Sequence, residues 1–204
     1  MKQIQRSIQN QTIIQNRRLT IDLEKRKDSN GRDVITQIAI YDVDQNQLLD
    51  HYLVKPDDGI SLHKTDLKIG FTERELTNAK SIAEIDMSIR SHLRGSEIGF
   101  WNMNDDLRIY PGLLGYALKG ICLMKLYSSQ YGPWDPEFCN RSFVKLVDAA
   151  SNCGFVKDQE LFWHDARVDA SATAFIWRWF DQQNLPKAPA KVKEIDGPSP
   201  WDLA

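Results

Sequence analysis

Three runs near the start of the chain, 19–24, 34–41 and 47–54, alternate apolar and polar side chains. Only the turn-rich stretches Ser29-Asn30-Gly31 and Asp44-Gln45-Asn46 divide them. Alternation at period two marks strands with one face on a core, and connections this short leave no room for a crossover. The runs are therefore expected to pair as an antiparallel meander. Beyond them the period changes. Ile82, Ile85, Ile89 and Leu93 recur at helical spacing within 79–94, which stops at Gly95. A short strand over 97–101 leads to a helix over 105–110 that breaks at Pro111, and 120–126 reads as a fifth strand. Phe143, Leu146, Val147 and Ala150 predict a helix over 138–152, stopped at Gly154, and 166–182 is the last helix. The expected fold class is α/β, with a mixed five-stranded sheet that contains the meander and is flanked by helices.

The 204 residues suffice for one sizeable core, and 42% apolar with 26% charged residues is the make-up of a globular domain. Residues 1–18 carry Lys2, Arg6, Arg17 and Arg18 with no acid, among five glutamines, and read as a polar basic arm. Residues 184–204 hold four of the eight prolines together with lysines and read as a tail, leaving 19–183 as the domain. Within that tail Trp201-Asp202-Leu203 reads first as a disordered end, with a short partner-binding segment as the alternative. No stretch approaches eighteen apolar residues, so no membrane span is expected, and Met1 to Arg6 lead into no apolar block of a secretory signal. A cytoplasmic location follows. Cys122, Cys139 and Cys153 form no C-x-x-C pair and are expected as reduced, buried thiols. With 26 basic against 28 acidic residues the net charge is −2, so any contact with nucleic acid must use a local patch.

The residues that carry chemistry are few. Asp22 and Glu24 lie two apart on the first predicted strand and project from one face, where like charges held close call for a cation. A lone pair of this kind is ordinarily plain surface acid on an edge strand. Trp101-Asn102-Met103-Asn104-Asp105-Asp106 runs from a strand end into a helix start, where open α/β sheets place functional groups and where Asn or Asp also serve as simple caps. His164 and Asp169 are five residues apart, about 140° around a regular helix, so both cannot be helical and share a face. His164 is therefore expected in the loop before the last helix. Asp169 shares a face with Ala166, Ala170, Thr173 and Ala174, small neighbours that let that helix approach the sheet.

Taken in order, D-x-E on the first strand, an Asp after the fourth and H-x-x-x-x-D at the last helix resemble the DEDDh 3′-to-5′ exonucleases, whose fold is ribonuclease H-like. Asp22 and Glu24 match the first motif, Asp106 the second, and His164 with Asp169 the third. Val54-Lys55-Pro56 is similar to the family's V-x-P, Gly70-Phe71-Thr72-Glu73 to its G-I-T-x-E, and Asp169-Ala170 to its terminal D-A, while Cys122 to Leu126 is most like exonuclease X. The resemblance spans roughly 19–183. Two places depart from it: Lys25-Arg26-Lys27 stand where Thr and a nearby Gly are usual, and Trp101 and Asp105 take the His and Phe places of H-N-x-x-F-D.

The resemblance implies a metal-dependent 3′-to-5′ exonuclease that releases nucleoside 5′-monophosphates from single-stranded DNA or DNA 3′ ends. The alternatives are RNA as substrate, or a non-catalytic nucleic-acid-binding module on the same fold. It also implies two ions, one held by Asp22, Glu24 and Asp169 and one by Asp22 with Asp106, with His164 as general base. Hard carboxylate oxygens point to Mg²⁺ or Mn²⁺. Leu23, Lys25, Arg26, Phe71 and Trp101 are the expected substrate contacts. The last two are candidates for stacking on a base, with core packing the alternative for Trp101. Lys25, Arg26, Lys27 and Arg32 against Asp28 and Asp33 give the first hairpin four cations to two acids, a local net of +2, for backbone phosphates or for solvent.

Overall fold

In the computed structural model, which describes residues 17–28, 30–55 and 72–183, the three alternating runs are strands β1 (Arg17–Lys27), β2 (Asp33–Asp42) and β3 (Gln47–Leu53). They pair antiparallel, and β4 (Ser96–Phe100) and β5 (Lys119–Cys122) add in parallel beyond β1, giving the order β3-β2-β1-β4-β5. This is the mixed five-stranded sheet expected from the alternation. β1 is its central strand, with a partner on either side.

Period-two alternation sorts β1 between two cores. Leu19, Ile21 and Leu23 join Ile38 and Ile40 against α2 (Ile82–Leu93), which contributes Ile85, Ile89 and Leu93. Burial of each such side chain contributes about 1.5–3 kcal/mol. Thr20, Asp22 and Glu24 fall on the opposite face, toward α6 (Ala166–Gln182). A short α1 (Glu73–Asn78) precedes α2, separated from it by Ala79 to Ser81. The predicted helix over 79–94 is thus shorter by three residues at its start, where the Ser81 N–H donates to Glu84 Oε2 at 2.7 Å.

Small residues bring α6 onto the sheet. Asp22 lies opposite Ala39 in the β1–β2 register, and Ala39 packs on Ala166 and Ala170. The Thr20 hydroxyl donates to the Ala170 carbonyl at 2.8 Å and fixes the helix at that level. Further along, Trp177 lies over Gly99 on β4. A Cβ at Gly99 would stand 2.7 Å from two ring carbons of Trp177 and 3.1 Å from Leu123 Cδ1, so only glycine fits.

Several boundaries differ from the sequence expectation. The apolar run 120–126 is strand only to Cys122 and then helix, α4 (Leu123–Tyr131). A short apolar run fits both periods, and here Leu123 and Tyr127, one helical turn apart, are both buried. α3 (Met103–Ile109) begins two residues early, and a 3-10 turn follows at Pro111–Tyr116. The helix expected over 138–152 is only α5 (Leu146–Cys153), ended by Gly154 at φ +86°. Before it a two-stranded hairpin, β6 (Trp134–Asp135) and β7 (Asn140–Arg141), leads into an extended segment at 142–145. The last helix begins and ends where periodicity placed it. Of the cysteines, Cys122 and Cys153 are half-buried, but Cys139 is exposed on the hairpin, contrary to expectation. Among the described residues no helix is long and apolar enough to cross a membrane. Most of the arm, the tail, Pro56, Gly70 and Phe71 lie outside the described residues.

Candidate active site

A cavity of about 580 Å³ opens at the end of β1, bounded by the first turn of α3 and the start of α6. Asp22, Glu24, Asp106, His164 and Asp169 all line it. β1 supplies the first two through its alternation. β4 ends at Phe100, and α3 turns Asp106 inward on its first turn, where only 8% of the residue is exposed. α6 presents Asp169 one residue before the carbonyl that Thr20 anchors.

His164 lies in the loop before α6, as the 140° separation requires. Its backbone is left-handed, φ +68°, uncommon outside glycine. That turn lets the His164 N–H donate to the Asp169 carboxylate. It also lets the imidazole return to the rim, where ligand atoms of Glu24, His164 and Asp169 lie within 4.8 Å of one another. Asp165 caps the helix instead, accepting from the Arg167 N–H at 3.0 Å and from Arg167 Nε at 2.9 Å.

The electrostatics of these acids are unusual for a folded domain. Asp22 Oδ2 and Asp169 Oδ1 are buried, and neither has a hydrogen-bond partner among the described residues. Burial, then the neighbouring carboxylates Asp169, Glu24, Asp106 and Asp165, push the Asp22 carboxyl far above its ordinary range. Burial and Asp169 push Glu24 up to about 9. Burial raises Asp106 to about 7, with Asp105 adding to it, and raises Asp169 to about 7 against the bond from the His164 N–H. Orphaned oxygens this costly are what a bound cation would satisfy. The donor set is hard carboxylate oxygen with one imidazole, and it fits Mg²⁺ or Mn²⁺.

Known structures of similar shape are nucleases. The chain resembles a 3′-exonuclease studied for 3′-end-specific recognition of a histone mRNA stem-loop, with 14% identity over 83% of each chain and a TM-score of 0.61. It resembles cell-death related nuclease 4, with 16% identity over 83% of this chain and 64% of the other and a TM-score of 0.63. A third is E. coli exonuclease I in complex with a dA13 oligonucleotide, with 17% identity, 82% and 41% of the two chains and a TM-score of 0.59. The fold is ribonuclease H-like. This chain spans less than half the length of exonuclease I. No family model matches the sequence, and no curated protein sequence matches it significantly.

Within this ribonuclease H-like frame the other sequence-predicted residues fare unequally. Leu23 lines the cavity while anchored in the core, and Trp101 lines it from a buried position, its ring centroid 6.0 Å from that of Tyr127. Lys25 also lines it, but its ammonium donates to Asp105, so the two departures from the motif pattern are partners of each other. Arg26 is buried and is not among the lining residues, against the expectation of a substrate contact. Two other cations of the hairpin pair with its own acids while remaining exposed, Lys27 to Asp33 at 2.8 Å and Arg32 to Asp28 at 2.8 Å. Arg108 closes the lattice, reaching Asp33 at 2.9 Å and Asp105 at 2.7 Å. Phe71 falls outside the described residues.

One part of the lining was missed, the extended segment before α5. It brings Phe143 and Lys145, both exposed. The signal was present as an aromatic and a cation two residues apart. Helical spacing to Leu146 and Val147 absorbed it.

Proposed function

We propose that the protein is a metal-dependent 3′-to-5′ exonuclease of the DEDDh type, releasing nucleoside 5′-monophosphates from the 3′ ends of single-stranded DNA. The observation that carries this reading is the meeting of four acids from β1, α3 and α6 at one cavity, two with buried, unpartnered oxygens, beside an imidazole at its rim.

Asp22, Glu24 and Asp169 would hold one divalent cation, and Asp22 with Asp106 a second. Two such ions supply charge neutralisation at the attacking and leaving oxygens of an in-line phosphoryl displacement. The side chains do the rest. His164, exposed at the rim, takes a proton from the attacking water as general base. Asp169 fixes where that imidazole sits, because its carboxylate accepts from the His164 N–H. Trp101, Leu23 and the Lys25–Asp105 pair border the space where the terminal nucleotide would rest. Among the structural neighbours, one is described on an mRNA stem-loop and one with a DNA oligonucleotide, so both sugars belong in the test.

That test is incubation of 5′-labelled DNA and RNA oligonucleotides with Mg²⁺ or Mn²⁺, beside an EDTA control. A ladder shortening from the 3′ side, abolished by EDTA, is the expected result. Intact oligonucleotides in every lane refute the reading.

A further inference from the structure

The segment 142–145 is held extended at two points. The Ser142 N–H donates to the Pro133 carbonyl at 2.8 Å, and the Val144 N–H donates to Ser128 Oγ at 2.9 Å. Ser128 is itself almost fully buried, so the anchor is firm. Ser142 and Val144 turn inward, Val144 into the core with Leu146 and Tyr127. Phe143 and Lys145 therefore project together from the other side, into the cavity, about 7 Å apart along the strap. Phe143 is 56% exposed, a large aromatic surface left in water at the mouth of an acid-lined pocket. Lys145 has no ion-pair partner among the described residues, although five carboxylates line the same cavity. Lys25, on the acid wall, is tied to Asp105.

An aromatic face and an untied ammonium, rigidly spaced by about one nucleotide step, are the elements of a site for single-stranded nucleic acid. Stacking contributes affinity without reading sequence, and the ammonium takes a backbone phosphate. We infer that the 142–145 strap is the substrate-strand clamp, with Phe143 stacking on a base next to the scissile bond and Lys145 holding a phosphate. This rests on the exonuclease reading and adds to it which wall grips the strand. The acid wall holds the reacting phosphate, and the strap sets how strongly the chain behind it is retained.

The experiment measures hydrolysis of 5′-labelled oligothymidylate and oligouridylate in Mn²⁺ across ~50 to ~200 mM salt. Wild type is compared with Phe143→Ala, Phe143→Leu, Phe143→Trp and Lys145→Gln, and thermal melts establish that each variant is folded. Phe143→Ala is expected to raise KM about tenfold, with Phe143→Trp restoring it and Phe143→Leu failing to. Lys145→Gln is expected to reduce the slope of log(kcat/KM) against log salt by ~0.7, the loss of one phosphate contact on a single strand. If wild type digests the oligonucleotides while Phe143→Ala and Lys145→Gln keep its KM and salt slope, the strap is not the clamp and the exonuclease reading stands. Full restoration by Phe143→Leu overturns stacking. If wild type neither digests nor binds either oligonucleotide, both inferences fall together.

Discussion

Two groups of buried or half-buried acids lie side by side in this molecule and behave oppositely. In the β1–β2 hairpin and the outer face of α3, Asp28, Asp33 and Asp105 each meet a cation. Burial opposes ionisation of Asp28 and Asp105, but the bonds they accept outweigh it, and all three carboxyls are held below the usual range. One residue further on, Asp106 has no such partner and is raised to about 7. The same contrast recurs on α6, where Asp165 is buried but capped by Arg167 and lowered, while Asp169 is raised to about 7. Burial alone therefore does not mark a site. What marks it is burial without an ion-pair partner among the described residues, repeated in four side chains that converge.

The sharpest way to break the contrast is to remove a member of each group. Asp22→Ala should lower hydrolysis by on the order of 10³-fold or more, while leaving the melting temperature unchanged or slightly higher, because one of several mutually repelling carboxylates is gone. A variant that retains full rate in Mg²⁺ removes Asp22 from the site. His164→Ala should slow turnover by roughly 10²–10⁴-fold, the usual cost of losing a general base, and steady-state rates in Mn²⁺ measure it.

The two groups also titrate in opposite senses. A carboxyl raised on folding stays protonated where the unfolded chain has ionised, so the folded state binds more protons and stability falls as pH rises. For Glu24 that window runs from its ordinary 4.5 to about 9, and for Asp106 and Asp169 from 3.8 to about 7. The lowered carboxyls act only in acid, where stability is lost as pH drops below their ordinary 3.8. The metal-free protein should accordingly melt several degrees lower at pH 8 than at pH 5. Mn²⁺ should erase most of that difference by binding the ionised cluster. Calorimetry with and without EDTA decides, and a melting temperature flat from pH 5 to pH 8 in EDTA contradicts the assigned electrostatics. The smallest effect belongs to the paired group. Asp105→Asn breaks bonds to Lys25 and Arg108 that are partly exposed and screened, so stability should change by less than about 1 kcal/mol in a denaturant titration.

Much of this was legible in the sequence because it rests on period and spacing. The meander follows from three alternating runs with short turns, and the same alternation puts Asp22 and Glu24 on one face. The five-residue gap from His164 to Asp169 forces the histidine out of the helix, and the chain meets that demand with a left-handed residue. What escaped depends on partners distant in the chain. Lys25 and Asp105 are 80 residues apart, so the ion pair that ties the hairpin to α3 has no local signature. The strap escaped because Phe143 and Lys145 sit just ahead of a true helix, and nothing local announces that Ser128 will hold Val144 extended.

Gly99 extends these points to the far end of α6. Trp177 stands eight residues beyond Asp169, about 12 Å along the helix axis, and its ring occupies the volume a methyl group would need. A side chain at Gly99 would therefore press on Trp177 and on the helix that carries it. The seating of α6 on the sheet thus leans on an absent side chain, met by the helix about two turns beyond Asp169.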